Sequence, residues 1–169
     1  MEPEAREEFI KITGITIEEY GMVTREDKLV AASPDGLCLH GPQVDGEIYE
    51  PRESDCGLEI KAPQVDTHVE YLMEGVLPDV YKMQIHWSLS ASGLSTWWFM
   101  SYFPGLNPLI IEVKADEFTE KVRKAQDQFI IDYAEERERV FDAILPSRKK
   151  EPDKQAKAMP QMALMEDLI

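Results

Sequence analysis

The sequence predicts a single mixed α/β domain: a leading helix, short strands, two helices, a strand pair and a long closing helix. Three observations predict it. Ala5, Phe9 and Ile12 recur at helical spacing near the N-terminus. Leu58-Glu59-Ile60-Lys61 alternates apolar and charged residues with the period of a strand. Two aromatic and aliphatic runs, Thr96 to Phe103 and Leu109 to Val113, are divided by Pro104-Gly105 and read as a hairpin.

The first helix is expected over Glu2 to Thr13, with Gly14 as its stop. Ile15 to Asp27 mixes β-branched residues with Gly21 and Asp27, suggesting a strand and a turn. Leu29 to Ala32 reads as a short apolar strand that runs into the turn Ser33-Pro34-Asp35-Gly36. His40 to Gly57 is rich in Gly, Pro, Asp and Glu; it reads as a long loop or an extended hairpin in which only Glu47-Ile48-Tyr49 is strand-like. Helices are expected over Val65 to Glu74 and Pro78 to Ser92, divided by Gly75, with Pro78 in the first turn of the second. Asp116 is the expected N-cap of the closing helix, whose buried stripe is read as Phe118, Val122, Ala125, Phe129, Tyr133, Val140 and Ile144. Residues 1–145 thus form the core. Residues 146–169 are basic at Arg148-Lys149-Lys150 and otherwise polar, with an acidic and apolar end, and read as a flexible or partner-dependent tail.

Composition limits the functions. The chain has 169 residues and 43% hydrophobic content, enough for one domain with a real core. No apolar run approaches a membrane span, and the polar start does not read as a signal peptide. Cys38 and Cys56 lie outside any paired CxxC arrangement, and with the scattered His40, His68 and His86 they make a poor zinc site. A reduced, cytosolic protein is the default. The net charge of −15 argues against a simple basic nucleic-acid binder. That objection weakens if some carboxylates hold divalent cations.

The chemistry concentrates on one strand and one turn. Alternation puts Glu59 and Lys61 on the same strand face, with Leu58 and Ile60 turned into the core. Two charged residues projecting together from an otherwise apolar strand fit either a solvated ion pair or phosphodiester hydrolysis. In the second case carboxylates hold Mg²⁺, a hard cation that takes oxygen ligands, and a lysine alongside acts on the attacking water. Asp35, at the end of the preceding strand, would be the second carboxylate.

Ser33-Pro34-Asp35-Gly36-Leu37 followed by Gly57-Leu58-Glu59-Ile60-Lys61-Ala62-Pro63 resembles the active-site core of lambda exonuclease and related phage recombination exonucleases, a family of the PD-(D/E)xK nuclease superfamily. The similarity continues through Tyr81-Lys82-Met83-Gln84-Ile85-His86-Trp87 and the aromatic strand from Trp97 to Tyr102, and covers about Glu2 to Ile144. It implies an α/β (α+β) restriction-endonuclease-like core, a central mixed β-sheet flanked by helices. It further implies Asp35 and Glu59 as metal ligands with the main-chain carbonyl of Ile60, Lys61 acting on water, and Gln84 supporting the site. Tyr81 and Ser33 would contact DNA or support the site, and Glu2 would be a further metal-site carboxylate. Helix packing is the competing reading for Tyr81 and Gln84, and a solvated terminus for Glu2.

The function so implied is a Mg²⁺-dependent (or Mn²⁺-dependent) exodeoxyribonuclease degrading one strand of duplex DNA from an end, 5′ to 3′. It would work in the bacterial cytoplasm in phage-type recombination beside a single-strand annealing protein, as a homo-oligomer, a trimer by resemblance. Two departures stand out. The interval between Asp35 and Glu59 is long, so about 40–57 reads as an inserted hairpin. The chain also starts at the helix carrying Glu2, where relatives have a preceding segment that grips the DNA end. The alternative is therefore an N-terminally truncated, non-catalytic DNA- or partner-binding module on the same fold. A restriction- or repair-type endonuclease is a third reading.

Overall fold

The computed structural model describes residues 1–27, 29–40 and 51–144. Helix α1 spans Glu2–Thr13, with a proline in its first turn, where the missing N–H is no loss. It stops at Gly14, whose φ of 73° is the left-handed conformation that glycine adopts without a Cβ penalty. Ala5 and Phe9 are fully buried, as their spacing predicts. Ile12, expected on the same stripe, is exposed. The next segments are shorter strands than the sequence suggests: β1 is Val23–Thr24 and β2 is Ala31–Ala32, paired antiparallel in a sheet of their own. Leu29, expected within the second strand, is exposed.

The main sheet has the order β3-β4-β5-β6, formed by Gly36–Cys38, Cys56–Lys61, Thr96–Ser101 and Leu109–Lys114. β3 and β4 are antiparallel, β4 and β5 parallel, and β5 and β6 antiparallel, so the sheet is mixed. A parallel pair cannot be joined by a tight turn. Helices α2 (Val65–Glu74) and α3 (Asp79–Ser92) supply the crossover, with Pro78 as the N-cap of α3 rather than its first helical residue. The expected loop over 40–57 ends earlier than its composition suggests, since Cys56 and Gly57 already belong to β4. The strand-like Glu47-Ile48-Tyr49 lies outside the described residues, as do 145–169 and the expected tail.

Both faces of the sheet are covered. On one, Cys38, Cys56, Leu58, Ile60 and Met100 pack with Ala5 and Phe9 of α1. On the other, Leu37, Trp97, Phe99 and Leu109 pack with Ile85 and Leu89 of α3. The register places Gly57 beside Trp97, and a Cβ built on Gly57 would meet that fully buried indole at 2.4 Å. Gly57→Ala is therefore expected to destabilise the fold by about 1–3 kcal/mol through overpacking. Urea unfolding checks it; an unchanged midpoint would mean that Trp97 has room to move.

Helix α4 spans Glu117–Ile144 and is capped as expected: Asp116 Oδ1 accepts from the N–H groups of Phe118 and Thr119 at 2.9 and 3.1 Å. Its buried stripe differs from the expected one. Thr119, Val122 and Gln126 are buried and Phe118 half-buried, while Ala125, Phe129, Tyr133, Val140 and Ile144 are exposed. Polar bonds fix this rotation. Ser90 Oγ donates to Gln126 Oε1 at 2.7 Å, and His86 Nδ1 lies 2.8 Å from Thr119 Oγ1. The chain divides into two compact units, Met1–Ile130 and Ile131–Ile169; of the second, the described part is the end of α4. No helix among the described residues is long and apolar enough to cross a membrane.

Candidate active site

The register of β4 turns Gly57, Glu59 and Lys61 to the face covered by α2 and α3, while Leu58 and Ile60 go to the α1 face. The two charged side chains therefore lie on an apolar face, and Glu59 is only 3% exposed. A buried carboxylate needs partners. Lys61 Nζ donates to Glu59 Oε1, and Gln84 Nε2 of α3 donates to the same oxygen at 2.6 Å. Lys61 also lies 5.4 Å from the ring centre of Tyr81, one helical turn before Gln84. That ring stacks on Phe99 at 5.3 Å and meets Tyr71 edge-on at 6.2 Å.

Asp35 reaches the same place from another direction. It precedes β3, rather than ending the strand before it, because that earlier strand (β2) belongs to the small sheet. Its N–H donates to Leu58 O at 3.0 Å, and its Oδ2 accepts from Ile60 N–H at 2.6 Å. The Asp35 carboxylate thus takes the ladder position that β3 leaves open beyond Gly36. Along β4, the Leu58 carbonyl and the Ile60 N–H point to this edge, whereas the Lys61 carbonyl points the other way, to Tyr102 N–H. Alternation therefore directs the Ile60 carbonyl to the Asp35 edge.

The electrostatics agree with two carboxylates sharing one small space. Burial raises the Asp35 pKa, and the nearby charge of Glu2 adds to it, against the opposing pull of Ile60 N–H, Lys61 and Arg6. Burial also raises the Glu59 pKa, and the charge of Asp35 adds to that, against the relief given by Lys61 and Gln84. Each carboxylate is harder to ionise for the presence of another. A cation between them would reverse that penalty. The donors are hard oxygens, so the set fits a divalent cation of the Mg²⁺ or Mn²⁺ type: Asp35, Glu59 and the Ile60 carbonyl. Among the described residues no three His, Cys, Asp or Glu side chains form a metal-binding cluster, so the fit depends on that main-chain oxygen.

The other expected residues are placed less centrally. Glu2 is exposed, and its tie to the site is its charge on Asp35. Ser33 is exposed and donates its hydroxyl to Gly21 O at 2.8 Å, bracing the turn before Asp35. Two features escape a reading of the sequence. Arg6 Nε and Nη2 both donate to the main-chain oxygen of Asp35, at 3.1 and 2.8 Å. Ser101, the register partner of Lys61, is buried with His68, whose Nδ1 lies 2.8 Å from the hydroxyl and whose Nε2 lies 3.0 Å from Asn107 O. The spacing of Arg6, four residues after Glu2 on the buried side of α1, was the available signal for the first. Nothing local announces the second.

The model of the YqaJ-like viral recombinase domain matches residues 1–95, more than half of the chain. The chain belongs to that family. The matched span carries Glu2, Arg6, Asp35, Glu59, Lys61, Tyr81 and Gln84, whereas Phe99 and Ser101 lie beyond it. The fold is similar to the crystal structure of an alkaline exonuclease, LHK-Exo, from Laribacter hongkongensis: TM-score 0.65 at 24% identity, covering 82% of this chain and 68% of that one. It is similar also to LHK-Exo in complex with dAMP, with TM-score 0.66 at 23% identity, covering 84% and 69%. The family and these likenesses give the fold as the PD-(D/E)xK type, a central mixed sheet flanked by helices. No curated protein matches the sequence.

Proposed function

We propose that this chain is a divalent-cation-dependent exodeoxyribonuclease, hydrolysing one strand of duplex DNA from an end, 5′ to 3′, in phage-type recombination beside a single-strand annealing protein. The observation that carries the reading is the meeting of a half-buried Asp35 with a buried Glu59, whose pKa the Asp35 charge helps to raise, beside Lys61 and Gln84. The exonuclease activity named for LHK-Exo, and the recombinase role in the family's name, are in keeping with it.

In this reading Asp35, Glu59 and the Ile60 carbonyl hold Mg²⁺ or Mn²⁺. Bound there, such a cation polarises the phosphodiester and makes water a better nucleophile. The protein supplies the rest. Lys61 orients the attacking water and offsets the charge that develops on the phosphate. Gln84 holds the Glu59 carboxylate in place, and Tyr81 gives Lys61 a ring face to lie against. With a net charge of −15, the chain has little long-range attraction for phosphate, so the site itself must do the holding.

Linear duplex labelled at either 5′ or 3′ ends and closed circular duplex are incubated with the protein and Mg²⁺. The expected result is mononucleotide release from linear DNA, 5′ label first, with the circle intact. A cut circle would make the chain an endonuclease. Intact linear DNA at every protein concentration would leave a binding module without catalysis.

A further inference from the structure

Asp35 is a short residue at a bend, and its usefulness depends on where its main chain is fixed. Its N–H is tied to Leu58 O, and its carboxylate to Ile60 N–H. The remaining polar group, the carbonyl, receives two bonds from one side chain, Arg6 Nε at 3.1 Å and Nη2 at 2.8 Å. The Arg6 side chain is only 15% exposed, and its third nitrogen, Nη1, meets the exposed Glu19 carboxylate at 3.3 Å. A guanidinium committed to a main-chain carbonyl, with carboxylates close by, is not there as a simple counter-charge. Its planar fork fixes the plane of the Asp35 peptide, which a lysine's single ammonium cannot do.

The geometry points to Arg6 as a positioning residue that locks the Asp35 peptide, so that the carboxylate stays on Ile60 N–H and turned towards Glu59. The inference rests on the functional reading above. It gives α1 a role beyond covering one face of the sheet: the helix that buries Ala5 and Phe9 also sets the aim of a carboxylate at the start of β3, beside β4.

Charge and position make opposite forecasts. If Arg6 acted through charge alone, Arg6→Met would remove a repelling cation and tighten binding of a divalent ion, and Arg6→Lys would change nothing. If it positions, both substitutions loosen the ion, by about 10–100-fold, the usual effect of removing a residue that orients a ligand. Mn²⁺ is titrated by calorimetry into the wild type, Arg6→Lys, Arg6→Met and the control Glu19→Gln, and hydrogen exchange at the Ile60 amide is followed in the same proteins without metal. The expected result is weaker Mn²⁺ binding and faster Ile60 exchange in both Arg6 variants, with Glu19→Gln unchanged. Wild-type affinity in Arg6→Lys, or tighter binding in Arg6→Met, overturns the positioning role and leaves the nuclease reading standing. If the wild type itself takes up no Mn²⁺, the metal reading of the site fails, and Ile60 exchange decides alone: unchanged protection overturns the role of Arg6.

Discussion

Lys61→Met is expected to lower the rate of phosphodiester hydrolysis by about 10²–10⁴-fold, the range for losing a positioned proton-transfer or charge-stabilising group. Lys61 is bonded to Glu59 and lies against the Tyr81 ring, so its ammonium is held in one place before any substrate arrives. Methionine keeps most of the stem and its packing but removes the charge. The substitution also takes from Glu59 its strongest relief, leaving Gln84 as the remaining donor on that oxygen. The Glu59 pKa, already above its usual value through burial, rises further. A carboxyl whose folded-state pKa is raised holds its proton in the folded chain at pH values where the unfolded chain has lost it. Stability therefore falls as pH rises from the unfolded value through the raised one. The variant should thus match the wild type in thermal unfolding at acid pH and fall below it towards neutrality, a loss moderated because Lys61 is partly open to water. Single-turnover rates with Mg²⁺ present, taken where the variant is shown folded, separate the two effects. A folded variant that cleaves at the wild-type rate would remove Lys61 from the chemistry.

The parts of the site that lie within a few residues of one another were legible in the sequence, and the parts that depend on distant pairing were not. A period of two is enough to put Glu59 and Lys61 together, and helical spacing puts Tyr81 and Gln84 on one side of α3. The glycine stops at Gly14 and Gly75 were equally local, and both adopt the left-handed conformation. The parallel pairing of β4 with β5 was not local, and with it went the burial of Ser101 beside Lys61 and the demand for a glycine against Trp97. The stripe on α4 failed for a related reason. Hydrophobicity favours Ala125 and Phe129, but Thr119 and Gln126 have partners on α3, and those hydrogen bonds select the buried face. Asp35 was found by its turn chemistry yet assigned to the wrong strand, because only the pairing reveals that the chain changes sheets between Ala32 and Gly36.

Asp35→Asn is expected to separate stability from metal response. Without metal, the wild-type carboxylate is under stress at neutral pH: burial and the charge of Glu2 raise its pKa, and its own charge raises that of Glu59. By the same sign as for Glu59, ionising Asp35 costs stability as pH rises through its raised pKa. Asparagine removes that charge, yet its side-chain oxygen can still accept from Ile60 N–H, so the bond that holds the turn need not be lost. In the presence of a chelator the variant should therefore unfold at the wild-type temperature or above it. Adding Mg²⁺ or Mn²⁺ reverses the order. A ligand at about 100 times its dissociation constant stabilises the state that binds it by about 2.7 kcal/mol, which at about 2–4 °C per kcal/mol for a chain of this size raises the wild-type midpoint by about 5–10 °C. The variant, short of one of two carboxylates, should hardly move. Scanning calorimetry of both proteins with chelator and with each cation is the measurement. Equal shifts in the two would mean that the cation binds elsewhere. A variant much less stable than the wild type in chelator would mean that the Asp35 carboxylate serves the fold rather than the site.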